Sequence, residues 1–94
     1  MSAKISEDGW RGFLKLCTRV KGEKQWDEFL KLFLTLEEQE SIAGRYSIVK
    51  ELVKEKKSQR EIAEVLDVSI SKITRGSNSL KVISHDLKKL LDGI

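Results

Sequence analysis

SQREIAEVLDVSISKITRGSNSLK, running from Ser58 to Lys81, is the stretch that decides how this 94-residue chain is read. It reads as two short helices joined by a tight turn. Ser58 followed by Glu61 is the S-x-x-E pattern, in which cap and third helical residue each satisfy an otherwise orphaned backbone donor. Ile62, Ala63, Val65 and Leu66 then give the first helix a face to bury. Asp67 falls where the chain must reverse. A left-handed backbone suits Gly best there, and Asp tolerates it better than most residues. Val68 is placed to pack into the angle, and Ser69 to cap the second helix. Ile70 and Ile73 supply that helix with an inner edge, while Ser71, Lys72, Thr74 and Arg75 face elsewhere. By local rules the second helix either ends at Gly76-Ser77-Asn78-Ser79 or continues through Leu80 to Val82, with Gly76 leaving a slot beside it. Two helices, a short turn and a polar, basic second helix describe a helix-turn-helix over about residues 58–82, of the kind that reads the DNA major groove.

Charge placement supports that reading. The net charge is +3. From Lys50 to Lys81 there are eight basic residues against five acidic ones, so this segment carries the whole excess and the remainder is balanced. A supporting helix needs no such hydroxyl-rich, basic outer face, although a merely solvated charged face has the same composition. The candidates for DNA contact are Gln59, Arg60, Ile70, Ser71, Lys72, Thr74 and Lys81. Arg60 has the fork geometry for guanine, and Lys81 suits a phosphate.

Length sets a second expectation. A chain this short buries roughly 60–65% of its unfolded surface, which leaves a lone protomer marginal and makes association a physical expectation. Residues 1–6 read as a frayed arm. A first helix is predicted over about Glu7 to Lys21, with Trp10, Phe13, Leu14, Cys17 and Val20 in a stripe and Gly22 as its C-terminal cap. A second covers about Gln25 to Phe33. Trp26, Phe29, Leu30, Leu32, Phe33, Leu34 and Leu36 crowd so closely there that it is apolar nearly all round, which places it at a subunit interface, the alternative being a central core helix. Thr35 and Glu38 repeat the capping pattern for a third helix that ends near Lys54. Gly44 inside that helix costs about 1 kcal/mol relative to Ala, a cost usually borne where something approaches closely. Ser84 caps a last helix with Leu87, Leu90, Leu91 and Ile94 on one face.

Several classes fall away. The one cysteine, Cys17, forms no internal disulfide and reads as a buried structural thiol in a reducing, cytoplasmic setting. His85, the one histidine, has no partner at ligand spacing, so no metal site is expected. No phosphate loop, dinucleotide fingerprint or activated nucleophile is present, and an enzyme reading has no catalytic residues to stand on. No stretch is long and apolar enough to span a membrane.

The run ITRGSNSLK, Ile73 to Lys81, together with SQREIA, Ser58 to Ala63, resembles the tryptophan repressor family. The likeness extends through Leu34–Glu38, Gly44-Arg45 and Ile48-Val49, and more weakly to Trp10 and Phe13. It covers nearly the whole chain as one domain, residues 1–94. The resemblance implies an all-α fold, an intertwined homodimer with six helices per chain. It implies L-tryptophan as corepressor, with no other cofactor, and double-stranded operator DNA as partner. Arg45 and Arg75 match the two arginines that sandwich the indole, a planar cation on an aromatic face. Arg75 also matches the partner of the ligand carboxylate, Gly76 the residue that gives the indole room, and Ser79 a ligand-facing hydroxyl. The carbonyls of Leu32 and Leu34, with Thr35, match ammonium acceptors contributed by the partner chain. Read from the residues alone, Arg45 is equally a solvated helix residue and Arg75 a phosphate contact.

The chain departs from the family pattern at four places. Lys72 stands where a small hydroxyl residue is expected, Asp67 replaces the turn Gly, Leu36 replaces a helix-opening Pro, and the Lys54–Lys57 connector lacks a Gly. Two other readings share these residues: a regulator of the same fold without a tryptophan response, and a helical protein-interaction module without DNA.

Overall fold

The computed structural model describes residues 6–94, and among them the chain is helical without strands. The helices are α1 (Glu7–Cys17), α2 (Gly22–Phe33), α3 (Leu36–Lys54), α4 (Gln59–Leu66), α5 (Ile70–Lys81) and α6 (His85–Leu90). They fall into two compact units, Met1–Glu37 and Glu38–Ile94. The expected N-terminal arm lies largely outside the described residues. Its last member, Ser6, is not frayed: it caps α1, its Oγ accepting from the Gly9 N–H at 3.2 Å.

In the first unit α1 stops a turn sooner than its apolar stripe predicts. Thr18 ends it, the hydroxyl donating to the Lys15 carbonyl at 2.6 Å. Gly22 does not close α1 but opens α2. Its φ of +78° makes the reversal that a side chain resists, and the Gln25 carboxamide oxygen accepts from the Lys21 N–H at 2.8 Å. Aromatic rings join the two helices. Phe13 stacks on Phe29 with centroids 5.7 Å apart and meets Phe33 edge-on at 5.2 Å. Trp10 extends the cluster from α1 and Trp26 from α2. Yet α1 and α2 hold no fully buried residue, and Leu32 is 77% exposed. Cys17, expected to be buried, is half-buried and free.

The second unit holds the core. Ile48 of α3, Ile62 of α4 and Ile73 of α5 are its buried side chains, with Leu52, Ala63, Leu66 and Val68 packed around them. One isoleucine from each of three helices fixes their mutual approach. Val65 takes no part, contrary to its place in the apolar pattern; it is 63% exposed on the outer side of α4. The last helix, α6, opens as expected, with the Leu87 N–H donating to Ser84 Oγ at 3.1 Å.

Between α3 and α4 Glu51 draws the connector in. Lys57 donates to its carboxylate at 3.0 Å and Lys54 at 3.4 Å. The Lys57 hydrogen bond, with Lys54 second, holds the Glu51 carboxyl below its ordinary value despite partial desolvation. Glu55, just past the end of α3, sits at φ +54°, in the left-handed region. Among the described residues no helix is long and apolar enough to cross a membrane, and no cluster of His, Cys, Asp or Glu could hold a metal ion.

Candidate nucleic-acid interface and ligand site

The helix pair forms as its sequence predicts. Ser58 Oγ accepts from the Glu61 N–H at 3.1 Å, and the Glu61 carboxylate accepts from the Ser58 N–H at 2.9 Å. The backbone hydrogen bond from Ser58, with the side-chain one second, holds the Glu61 carboxyl below its ordinary value. Asp67 takes the left-handed conformation, φ 54° and ψ 50°, and closes α4 with the Val68 N–H donating to the Ala63 carbonyl at 3.0 Å. Ser69 caps α5, its Oγ accepting from the Lys72 N–H at 3.4 Å and lying 3.2 Å from Ser71 Oγ. The glycine does not end α5. The helix runs through Gly76 to Lys81, and Val82 caps it.

Gly76 is occupied on its inner side. A β-carbon there would meet Ile48 Cγ2 at 3.1 Å and Leu52 Cδ1 at 3.3 Å. The absent side chain therefore lets α5 approach α3, and within this chain the expected slot is filled by those two residues. Gly44, by contrast, has no atom within 4 Å of its β-position.

Of the residues expected at DNA, Arg60, Ile70, Ser71, Lys72, Thr74 and Lys81 are exposed, and Gln59 is half-buried at the start of α4. Ile70 is 49% exposed, so it belongs to the outer surface and not to the inner edge, which Ile73 supplies alone. Thr74 and Gln59 are joined: the threonine hydroxyl donates to the Gln59 carboxamide oxygen at 2.8 Å. The α4 N-terminus and the outer face of α5 therefore form one surface.

Of the residues expected at the ligand, Arg75 and Ser79 lie one turn apart on α5. With Ile70, Ser71, Thr74, Asn78 and Val82 they line an open concavity of about 650 Å³. Ligand and DNA candidates thus share one helix and one concavity, which Arg75 and Ser79 line together with Ile70, Ser71 and Thr74. Arg45 is exposed on α3, in the same unit. Leu32, Leu34 and Thr35 belong to the other unit, and Leu32 and Thr35 are exposed there. Asn78 was absent from the candidates. Its spacing, four residues beyond Thr74 and three beyond Arg75, was the available signal.

The family model described as Trp repressor protein matches residues 8–94. The Trp operon repressor homolog of Chlamydia caviae is 45% identical over the whole of this chain and 93% of its own length. That of Chlamydia trachomatis serovar D is 44% identical over 90% of each chain. That of Vibrio vulnificus is 38% identical over 99% of this chain and 95% of its own. A capped helix pair with a basic outer face, the ITRGSNSLK run continuous in α5, and a match from residue 8 to the last residue lead to one conclusion. The chain belongs to the Trp repressor protein family.

Proposed function

We propose that this protein is a tryptophan-responsive transcriptional repressor that binds operator DNA as a homodimer and has no catalytic role. The observation that carries the proposal is α5. One helix holds both the outward hydroxyl and basic residues suited to DNA and, one turn apart, Arg75 and Ser79 suited to an amino acid. Whatever sits against Arg75 acts directly on the angle of the reading helix.

In this reading the 94 residues work as one repressor domain in the cytoplasm. L-tryptophan is the corepressor. The Arg45 and Arg75 guanidinium planes stack on the indole, and Arg75 takes the carboxylate by charge-assisted hydrogen bonds. Ser79 faces the ligand, Gly76 lets α5 lie close against α3 beside it, and the carbonyls of Leu32 and Leu34 with Thr35 of the second copy receive the ammonium. The exposed Leu32, Phe33, Leu36 and Tyr46 and the aromatic cluster of α1 and α2 support association, because a lone protomer leaves them in water. Two copies related by a twofold axis set two α5 helices in successive major grooves, about 34–36 Å apart. Gln59, Arg60, Ile70, Ser71, Lys72, Thr74 and Lys81 lie on the surface that faces DNA.

Ligand shifts the position of α5 only by its differential affinity for the two arrangements, and operator DNA tightens tryptophan binding by the same factor. Calorimetry with L-tryptophan, in the presence and absence of an operator duplex, measures both sides of that linkage. Equal tryptophan affinities in the two titrations remove the corepressor role. A DNA affinity that barely falls with salt removes the DNA role, because repeated phosphate contacts release counterions.

A further inference from the structure

We infer that Thr74 is a positioning residue, which holds the Gln59 carboxamide so that its NH2 group faces outward as an obligate donor to DNA; the inference rests on the DNA-binding reading above. The hydrogen bond from Thr74 Oγ1 to Gln59 Oε1 is 2.8 Å and spans fifteen positions of sequence. Threonine has one hydroxyl proton. The same oxygen lies 3.1 Å from the Ile70 carbonyl, the usual alternative acceptor for a helical threonine. Directed at Gln59, the proton is no longer available to a phosphate or a base.

The consequence falls on Gln59. A carboxamide carries one acceptor oxygen and a two-proton donor group. Free glutamine at a groove chooses its face, and with both faces open it pairs with adenine by accepting from N6 and donating to N7. Here the oxygen is engaged by Thr74, and Gln59 is half-buried at the first position of α4, where Ser58 and Glu61 lock the backbone. The face left for DNA is the NH2 group. It fits an acceptor: a phosphate oxygen, N7 or O6 of guanine, or O4 of thymine. Because Gln59 is on α4 and Thr74 on α5, the same bond ties the two helices at the surface. A change in the angle of α5 is thereby transmitted to the contact made by α4.

The test uses the full chain with L-tryptophan and a duplex that the wild-type chain selects from a randomised library. Thr74→Val keeps the β-branched shape and removes the hydroxyl; Thr74→Ser keeps the hydroxyl. Loss of the bond in Thr74→Val is expected to weaken DNA binding roughly five- to tenfold, while Thr74→Ser stays near wild type. Gln59→Ala weakens binding by itself, and adding Thr74→Val to it costs nothing further. Gln59→Glu keeps an acceptor for Thr74 but presents no donor, so it binds as poorly as Gln59→Ala or worse. Thermal unfolding of each variant separates these effects from a change in folding. Additive losses in the double variant mean that Thr74 touches DNA itself, and they overturn the inference. So does a Gln59→Glu chain that binds like wild type. Either result, with wild-type binding intact, leaves the DNA reading standing; a wild-type chain that selects no duplex sinks both.

Discussion

Two residues with side chains occupy backbone conformations that favour glycine, and they offer a sharp test of how this fold is held. Glu55 and Asp67 both sit at φ +54°. The left-handed region brings the β-carbon against the carbonyl oxygen, at a cost of roughly 1–2 kcal/mol for an ordinary L-residue. Glycine avoids that cost but loses more chain entropy on folding, about 0.5–1 kcal/mol. For Glu55→Gly the difference is a net stabilisation of about 1 kcal/mol. Nothing else of consequence leaves with the side chain. Among the described residues the Glu55 carboxylate makes no ion pair, and its N–H still reaches the Leu52 carbonyl at 3.2 Å. Asp tolerates the left-handed region better, so Asp67→Gly gains less, about 0.5 kcal/mol or below. Urea unfolding at one fixed protomer concentration measures both, because association contributes to the apparent stability. A gain of 1 kcal/mol raises the thermal midpoint by roughly 4–8 °C in a domain of this size. The two sites flank α4 at opposite ends and share no partner, so the double variant is expected to show the sum. A Glu55→Gly chain no more stable than wild type, or a gain at Asp67 exceeding that at Glu55, refutes the reasoning.

Gly76→Ala adds a methyl group 3.1 Å from Ile48, which is 5% exposed and stiff at its β-carbon, so overpacking exceeds the gain in helix propensity. The net loss is about 1 kcal/mol in denaturant unfolding, and a more stable variant refutes the close approach of α3 and α5. Ser58→Ala removes the cap of α4 and costs about 1 kcal/mol by the same measurement. Glu61 and Glu51 both have folded-state carboxyls held below the ordinary 4.5, so they add stability above that pH and lose it as pH falls through their lowered values. Glu61→Gln is therefore expected to flatten the acid limb of a stability–pH profile and leave the neutral-to-alkaline slope unchanged. Arg45→Ala and Arg75→Ala each remove one guanidinium plane from the proposed ligand site, with tryptophan affinity in calorimetry expected to fall about tenfold or more. Wild-type affinity in both variants overturns the sandwich.

The parts of this protein legible in its sequence are those governed by interactions three or four residues long. Ser58 with Glu61, the left-handed Asp67, Ser69 and Ser84 were all readable, because a cap and the donor it satisfies lie within one turn. The family signature in α5 was readable for the same reason, as a contiguous run. Where two local rules competed, sequence did not arbitrate. An apolar stripe carried α1 toward Lys21, but Thr18 ended it and Gly22 served the next helix.

Only the tertiary structure decided which surfaces meet. Val65 and Ile70 have the composition of core residues and lie outside, because burial depends on where neighbouring helices run and three isoleucines already fill the meeting point of α3, α4 and α5. Gly76 read as a slot beside the helix, yet it admits Ile48 and Leu52 from a helix more than twenty residues away in sequence. The Thr74–Gln59 hydrogen bond has no sequence signature, since its partners are brought together by the turn between them and by the packing of Ile62 on Ile73. Helix boundaries follow from backbone donors and acceptors that must be satisfied nearby. The pairing of faces follows from volume, and volume is shared among residues distant in the chain.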